Sequence, residues 1–334
     1  MGPLGRACTT SPDLEALTDN AGEPAHSEDR LMHKFVLIGL MALALPDAAM
    51  ATDAAPVAAV QKAVLVTGAS SGIGRKITER LAAEGYFVYA GARKEADLRE
   101  LDAIENVDSI RLDVTRPEEI AAAVETVRKA GRGLHGLVNN AGVAVMGPLT
   151  EMKEEELRFV LDVNVFGPYR VTQAFAPLIV ESGGRITTIS SIAGILSRPP
   201  LGAYSMSKHA VEAFGDALAA ELEPKGVKVS LVEPGNYRSE ISRNAAVRMG
   251  LGVDSPLTDR SRFKEPDEVA AAVVHALFDA NPKRRYMVVP DQREAELTIS
   301  KAIEELVQLN ERQPYSYDRD ELVRMLDAAL GRTP

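Results

Sequence analysis

Cysteine, basic charge and long apolar runs are all scarce in this sequence of 334 residues, and each scarcity excludes a class of protein. The single cysteine, Cys8, excludes an intrachain disulfide and a cluster of thiolate metal ligands. With 38 basic against 48 acidic residues, the net charge of -10 argues against a nucleic-acid-binding surface. No apolar run reaches the roughly 18 to 20 residues of a membrane-spanning helix. The histidines lack metal-ligand spacing, so we expect no metal site.

The first 62 residues differ in character from the rest of the chain. Residues 2–30 are rich in small and polar residues and show no helical or strand period, which is typical of a disordered leader. Residues 32–51 combine a basic start, an apolar stretch over 35–45 and a small-x-small triplet, which is the outline of a secretory signal. An apolar leader lying on the protein or on a membrane is the alternative.

From Ala63 onward, short β-branched runs alternate with helical stretches, a pattern typical of βαβ units. We predict strands at Ala63–Val66, Phe87–Ala90, Ser109–Leu112, Gly136–Asn139, Arg185–Ser190, Lys228–Val232 and Arg285–Val289. Their nearly continuous apolar character indicates cover on both faces. We therefore expect an α/β, Rossmann-like doubly wound parallel sheet over residues 63–290, with helices on both faces and ligands at the carboxyl ends of the strands. Residues 291–334 have amphipathic helical period and should extend this domain.

A glycine-rich turn, Thr67-Gly68-Ala69-Ser70-Ser71-Gly72-Ile73-Gly74, directly follows the first predicted strand. Glycine at such a junction permits a tight turn, close approach of the backbone to a pyrophosphate, and packing of the next helix. The N-terminal N–H groups of that helix would face the phosphates. The candidate nucleotide contacts in this turn are Gly68, Ser70, Ser71, Gly72, Ile73 and Gly74.

The end of the second predicted strand bears on which dinucleotide is bound. An acidic residue there would bond a ribose 2'-hydroxyl, whereas a basic one would pair with a 2'-phosphate. The chain has no acid at this point and continues with Arg93 and Lys94. Because the planar guanidinium of Arg93 suits a phosphate, NADP(H) is favoured over NAD(H). The alternative is that both are solvated loop charges.

Tyr204 and Lys208 lie four residues apart on a predicted helix, so they share a face one turn apart. A tyrosine hydroxyl titrates near about 10, but a nearby ammonium favours the phenolate and is expected to lower the pKa of Tyr204. That would give a general acid/base suited to an alcohol or a ketone. Ser191 ends the preceding strand, and its hydroxyl could hold the substrate oxygen where charge develops.

Seven motifs, taken in order, resemble those of the single-domain short-chain dehydrogenase/reductase family from about Ala63 to Val289. They are Thr67 to Gly74, Asp113, Asn139-Asn140-Ala141-Gly142, Asn164, Ser191, Tyr204 to Lys208, and Pro234-Gly235. The resemblance implies a Rossmann fold, interconversion of alcohols and carbonyls with NAD(P), and assembly into a homodimer or homotetramer.

The resemblance also implies a role for each matching residue. Tyr204 would exchange the proton, and Lys208 would also bond the nicotinamide ribose. Ser191 would orient the substrate, Asn164 would support a proton relay to solvent, and Asp113 would meet the adenine. The further implied cofactor contacts are Asn139, Ala141, Gly142, Pro234 and Ser239.

Two alternatives remain open. Ser190 competes with Ser191, and Ser191 is preferred because it lies thirteen residues before Tyr204. Asp113, followed closely by Thr115, could form only a turn between a strand and a helix.

Residues 236–264 mix apolar side chains with arginines and are expected to cover a lipophilic alcohol or carbonyl substrate. Glu233 to Ser239 looks like the same segment in family members acting on steroids and retinoids. A catalytically silent NADP(H)-binding sensor or scaffold is the alternative function, although no catalytic residue is missing. The need for a dinucleotide pool favours a cytoplasmic location, and residues 32–51 leave export or membrane association as the alternative.

Overall fold

The computed structural model describes residues 61–251 and 258–332, so the predicted leader and its signal-like segment lie outside the described residues. The described part contains one parallel sheet in the order β3-β2-β1-β4-β5-β6-β7. The strands are β1 Ala63–Thr67, β2 Phe87–Ala92, β3 Val107–Arg111, β4 Gly136–Asn139, β5 Arg185–Ile189, β6 Lys228–Pro234 and β7 Arg285–Val288. The predicted doubly wound sheet is confirmed, with strand ends shifted by at most two residues.

Ten α-helices connect and follow these strands in the described residues. They are α1 Gly72–Ala83, α2 Glu95–Asp102, α3 Pro117–Ala130, α4 Glu154–Leu161, α5 Gly167–Glu181, α6 Gly202–Leu222, α7 Ile241–Arg248, α8 Asp267–Phe278, α9 Gln292–Asn310 and α10 Arg319–Ala329. A π-helix, Asp162–Phe166, joins α4 to α5, and short 3-10 turns cover Ile192–Gly194 and Glu223–Lys225. Helices α9 and α10 occupy the predicted C-terminal extension.

A hydrophobic core lies on each face of the sheet. On one face, buried side chains of α3, α5 and α6 pack on alternate strand residues such as Leu65. On the other face, α1, α2 and α8 pack on the intervening residues, such as Val64 and Val66. This two-sided cover explains why all five residues of β1 are buried. None of the described helices is both long and apolar enough to cross a membrane.

The strand order reverses between β1 and β4, which both continue into loops at their carboxyl ends. Sheets of this kind bind ligands in the crevice at such a switch point, because the adjacent loops diverge there. Helix α1 starts from the β1 loop at Gly72 and ends at Ala83, and Gly85 follows at φ 84°, a conformation that favours glycine. The fold therefore places the glycine turn and the catalytic candidates at one edge.

Candidate active site

A cleft of about 740 Å³ opens at the carboxyl ends of the strands. Loops that follow β1, β2, β3, β4, β5 and β6 all contribute to it, together with α6 and α7. The predicted site residues that line it are Gly68, Ser70, Ser71, Gly72, Ile73, Gly74, Arg93, Asp113, Ala141, Gly142, Ser191, Tyr204, Lys208, Pro234 and Ser239. Asn139 and Asn164 instead lie buried beneath the cleft wall.

The glycine turn forms a narrow concave surface of backbone, called the cradle below, and side chains at its glycines would fill it. Gly68 has φ 66°, and a Cβ there would lie 2.8 Å from the Cα of Ala141. A Cβ on Gly74 would lie 2.3 Å from both the side-chain nitrogen of Asn140 and the carbonyl oxygen of Gly68. The Oγ1 of Thr67 accepts hydrogen bonds from the backbone N–H groups of Asn140 and Ala141, at 2.9 and 3.0 Å. These contacts leave bare backbone at the start of α1, which fits a dinucleotide pyrophosphate.

Asp113 closes a turn and also lines the cleft. Its Oδ1 accepts hydrogen bonds from the backbone N–H and the hydroxyl of Thr115, at 2.9 and 2.7 Å, which closes the turn after β3. The same residue lines the cleft. The exposed Arg93 also reaches this point, with its Nη1 3.9 Å from Oδ2 of Asp113. The two residues expected at the adenosine end thus form a loose ion pair.

Asn139 and Asn140 differ in direction, and only the second faces the cleft. Asn139 is 2% exposed, and its Nδ2 donates to the hydroxyls of Thr172 and Thr188 at 2.9 and 3.4 Å. Asn140 lines the cleft and donates from Nδ2 to the carbonyls of Thr67 and Gly68 at 2.9 and 3.1 Å. The resemblance implied that the whole run from Asn139 to Gly142 lines the cleft; in the structure Asn140 does and Asn139 does not. The alternation of side chains along a strand is the signal that distinguishes the two.

Asn164 ties the loop after β4 to the start of α6. It lies in the π-helix, a geometry frequent at functional sites, and is 1% exposed. Its Oδ1 accepts from the Val143 N–H at 2.8 Å, and its Nδ2 donates to the Val143 carbonyl at 2.8 Å and to the Ser207 hydroxyl at 3.0 Å. That hydroxyl donates in turn to the carbonyl of Tyr204 at 2.7 Å. Asn164 thus fixes the backbone that carries the tyrosine.

Ser191, Tyr204 and Lys208 meet where β5 ends and α6 begins. The Nζ of Lys208 lies 5.6 Å from the ring centre of Tyr204 and donates to the carbonyl of Ile189 at 2.9 Å. Ser191 lines the cleft together with Tyr204, and its Oγ accepts from the N–H of Ala193 at 3.1 Å and donates to the carbonyl of Pro234 at 3.4 Å. The adjacent Ser190 is buried, and its hydroxyl has no protein partner among the described residues. The geometry thus favours Ser191 over Ser190.

Burial controls the protonation of Tyr204 and Lys208. It raises the pKa of Tyr204 to about 12, although the hydrogen bond from Ser191 lowers it. It lowers the pKa of Lys208 to about 8, while the charge of Glu212 raises it. The expected lowering of the Tyr204 pKa by Lys208 is therefore not found. Desolvation of the buried hydroxyl has the largest influence on this pKa and raises it. Tyr204 holds its proton firmly at neutral pH.

Comparison with known proteins explains why the glycine turn occurs together with Ser191, Tyr204 and Lys208. Residues 62–249 match the family model for short chain dehydrogenases. The chain belongs to that family. D-beta-hydroxybutyrate dehydrogenase of rat mitochondria is 36% identical over 69% of this chain and 77% of its own length. Mouse retinol dehydrogenase 7 is 38% identical over 54% of this chain and 58% of its own, in line with the expected likeness to enzymes of lipophilic alcohols.

Solved structures of short-chain dehydrogenases share the fold and hold different nucleotides. Actinorhodin polyketide ketoreductase with NADPH has a TM-score of 0.62 and 30% identity, covering 68% of this chain and 95% of its own. A Burkholderia phymatum enzyme with NAD has a TM-score of 0.65 and 27% identity, covering 77% and 98%. The chain is thus an oxidoreductase with a Rossmann-like nucleotide-binding fold, and both nucleotides occur among similar structures.

The substrate half of the cleft in this short-chain dehydrogenase is apolar with a basic rim. Its apolar lining includes Met146, Ile192, Leu196, Leu201, Ile241 and Phe263. Arg198, Arg243, Arg260 and Arg262 also line the cleft. Of the apolar residues expected to face a substrate, Val247, Met249 and Leu251 are exposed instead. Val253 and Leu257 lie outside the described residues.

Proposed function

We propose that this protein is an NADP(H)-dependent oxidoreductase that interconverts a lipophilic alcohol and its ketone or aldehyde, with Tyr204 as the general acid/base. The observation that carries the proposal is the meeting of Ser191, Tyr204 and Lys208 inside a cleft that bare glycines open to a dinucleotide. When bound, the nicotinamide supplies or accepts the hydride.

In the direction of reduction, the Tyr204 hydroxyl donates its proton to the substrate oxygen. A pKa of about 12 keeps that proton in place at neutral pH until a more basic oxygen develops beside it. The Ser191 hydroxyl, which lines the cleft together with Tyr204, holds the same oxygen as its charge grows. The ammonium of Lys208 stabilises the phenolate that remains. In this proposal Asn164 supports the relay that returns a proton to Tyr204 by positioning the tyrosine, since its contact through Ser207 ends at the Tyr204 backbone carbonyl and does not itself carry the proton.

The preference for NADP(H) rests on the charge at the end of β2. Arg93 and Lys94 both line the cleft, and the strand ends without an acidic residue. A 2'-phosphate would compete with Asp113 for the Arg93 guanidinium, and their present 3.9 Å separation makes that ion pair weak. The glycine turn, Asn140 and Ser239 would hold the rest of the dinucleotide whichever nucleotide binds.

A panel assay tests the proposal as a whole. The purified protein is mixed with NADPH or NADH and a series of lipophilic ketones and aldehydes, and loss of nicotinamide absorbance is followed. We expect turnover with at least one apolar ketone and a higher kcat/KM with NADPH. Tight NADPH binding without turnover of any carbonyl or alcohol would instead support the sensor or scaffold.

Assembly and location extend the proposal. Ten large apolar side chains are exposed on α9, α10 and the turn between them, including Ile303, Leu309 and Leu326. Because exposed apolar patches mark interaction sites, we propose a homodimer or homotetramer, which light scattering during size-exclusion chromatography would detect.

We also propose a cytoplasmic location, since the dinucleotide pool is there. A native chain that starts at Thr52 in mass spectrometry would contradict it.

A further inference from the structure

A cluster of charges lies next to Lys208 but outside the lining of the cleft. Glu212 follows Lys208 by one turn of α6, Glu233 lies on β6, and Arg285 begins β7. The Nε of Arg285 is 3.1 Å from a carboxylate oxygen of Glu212 and 3.3 Å from one of Glu233. Its Nη2 is 2.7 Å from Asp216. One guanidinium therefore faces three carboxyl groups.

Glu212 and Glu233 both face the Nε of Arg285. The Glu233 side chain is only 3% exposed. Burial, followed by the charge of Glu212, raises the pKa of Glu233 to about 7, although Arg285 lowers it. Near pH 7 Glu233 is therefore about half protonated, and its protonated form can donate a hydrogen bond that Glu212 would share, since a carboxylate only accepts.

The charge of this pair acts on Lys208. The Lys208 ammonium is buried and donates to a neutral group, the carbonyl of Ile189. Its pKa of about 8 reflects burial, opposed by Glu212. Arg285 faces the same carboxyl pair from β7 and offsets part of its charge.

Of the other elements that pack on α6, the 3-10 turn Glu223–Lys225 carries charges but lies at the opposite end of the helix from Lys208. The two nearer elements contribute neutral groups where they pack on α6. The π-helix contacts it through the amide of Asn164, and α4 contacts it through apolar packing around Ala203. Glu212, backed by Glu233, is therefore the anionic group that opposes the loss of a proton from Lys208.

Glu212 also contacts the turn that carries Ser191. A Cβ on Gly194 would lie 2.9 Å from Cγ and 3.0 Å from Oε1 of Glu212, and 3.1 Å from the hydroxyl of Ser190. The backbone of the 3-10 turn after Ser191 therefore packs directly against the Glu212 side chain. Glu212 thus packs against this turn and lies one helical turn from Lys208.

We propose that Glu212, held by Glu233 and Arg285, is a positioning residue that keeps Lys208 in its ammonium form and seats the Ser191 turn against α6. The inference rests on the proposed function of Tyr204 and Lys208. A neutral lysine would leave the phenolate of Tyr204 without a cation, so reduction would fail as Lys208 loses its proton.

The test is the pH profile of kcat/KM for Glu212→Gln, with NADPH and a ketone that the unaltered protein reduces. The amide keeps the shape of the side chain but removes its charge. We expect the alkaline limb to move to lower pH by about one unit, with a change of no more than about threefold at pH 6. Glu212→Asp should restore part of the shift. Glu221→Gln, at the exposed end of the same helix, is the matched control and should leave the limb in place.

An alkaline limb that stays in place in Glu212→Gln, or activity lost equally at every pH, would overturn the inference, since a merely structural role predicts that result. If the unaltered protein reduces no carbonyl at any pH, the proposed function fails instead, and the melting experiment described next still decides the shared proton.

A second variant tests the pair without relying on turnover or on the folding of Glu212→Gln. The pKa of Glu233 is raised from 4.5 to about 7 in the folded chain. Its contribution to stability is therefore fully present below about pH 4.5 and is lost as pH rises through about 7. Glu233→Gln lacks this titration, so its melting temperature should fall less between pH 5 and pH 8, by a few degrees. Parallel curves for the two proteins would refute the shared proton.

Discussion

The two halves of the cleft are built in different ways. The nucleotide half consists of backbone at the ends of β1 and β4, held open where a Cβ on Gly68 or Gly74 would collide with neighbouring atoms. The substrate half consists of side chains on loops and on α7, such as Ile241 and Phe263. A backbone cradle tolerates almost no substitution, whereas a pocket of side chains changes with each one. The nucleotide half should therefore respond more sharply to substitution than the substrate half.

Filling the nucleotide cradle should have the largest effect. Gly74→Ala places a methyl group 2.3 Å from the Asn140 amide and the Gly68 carbonyl, so the turn must open. We expect NADPH affinity to fall about 100-fold, which corresponds to a cost of about 3 kcal/mol, the upper end of the range for such overpacking. Fluorescence titration with NADPH measures it. The control is Gly85→Ala, whose added Cβ has no atom within 4 Å; its φ of 84° should cost some stability but no NADPH affinity. Binding of Gly74→Ala within threefold of normal would contradict the backbone cradle.

Removing the positive charge of Arg93, at the end of β2, should have an intermediate effect, and only on the binding of NADPH. Arg93→Ala is expected to weaken NADPH binding by about 10- to 100-fold, the cost of about 1.5 to 3 kcal/mol for a charge-assisted hydrogen bond. NADH binding should stay within about twofold. Arg99→Ala, an exposed arginine on α2, is the matched control. Equal losses for both nucleotides would show that Arg93 does not read the 2'-phosphate.

Trimming the substrate half should have the smallest effect and leave the cofactor untouched. Ile241→Ala removes an apolar side chain from the cleft lining, and we expect KM for an apolar ketone to rise by about 5- to 30-fold. KM for NADPH should not change. Val247→Ala on the same helix is the control, because Val247 is 53% exposed. If both variants behave alike, α7 does not contact the substrate.

The same contrast explains what could be predicted from sequence. The strands and the glycine turn depend on local runs of residues, and β1, α1 and the Tyr204–Lys208 spacing follow from them. The opposite directions of Asn139 and Asn140 follow from the alternation of side chains at the end of β4, whose bounds are predicted correctly, so the sequence contains this signal. The bond from Arg285 to Glu212 joins residues 73 apart, and no local pattern marks it. The raised pKa of Tyr204 comes from burial, which spacing does not report.

Replacement of Tyr204 by phenylalanine removes only the hydroxyl oxygen that we propose donates the proton, and leaves the nucleotide half of the cleft unchanged. The measurement pairs NADPH titration with NADPH consumption on the best ketone found for the unaltered protein. The account predicts affinity for NADPH within about threefold of normal and turnover reduced by at least about 10²- to 10⁴-fold. Near-normal turnover by Tyr204→Phe would contradict the assignment of Tyr204 as the general acid/base.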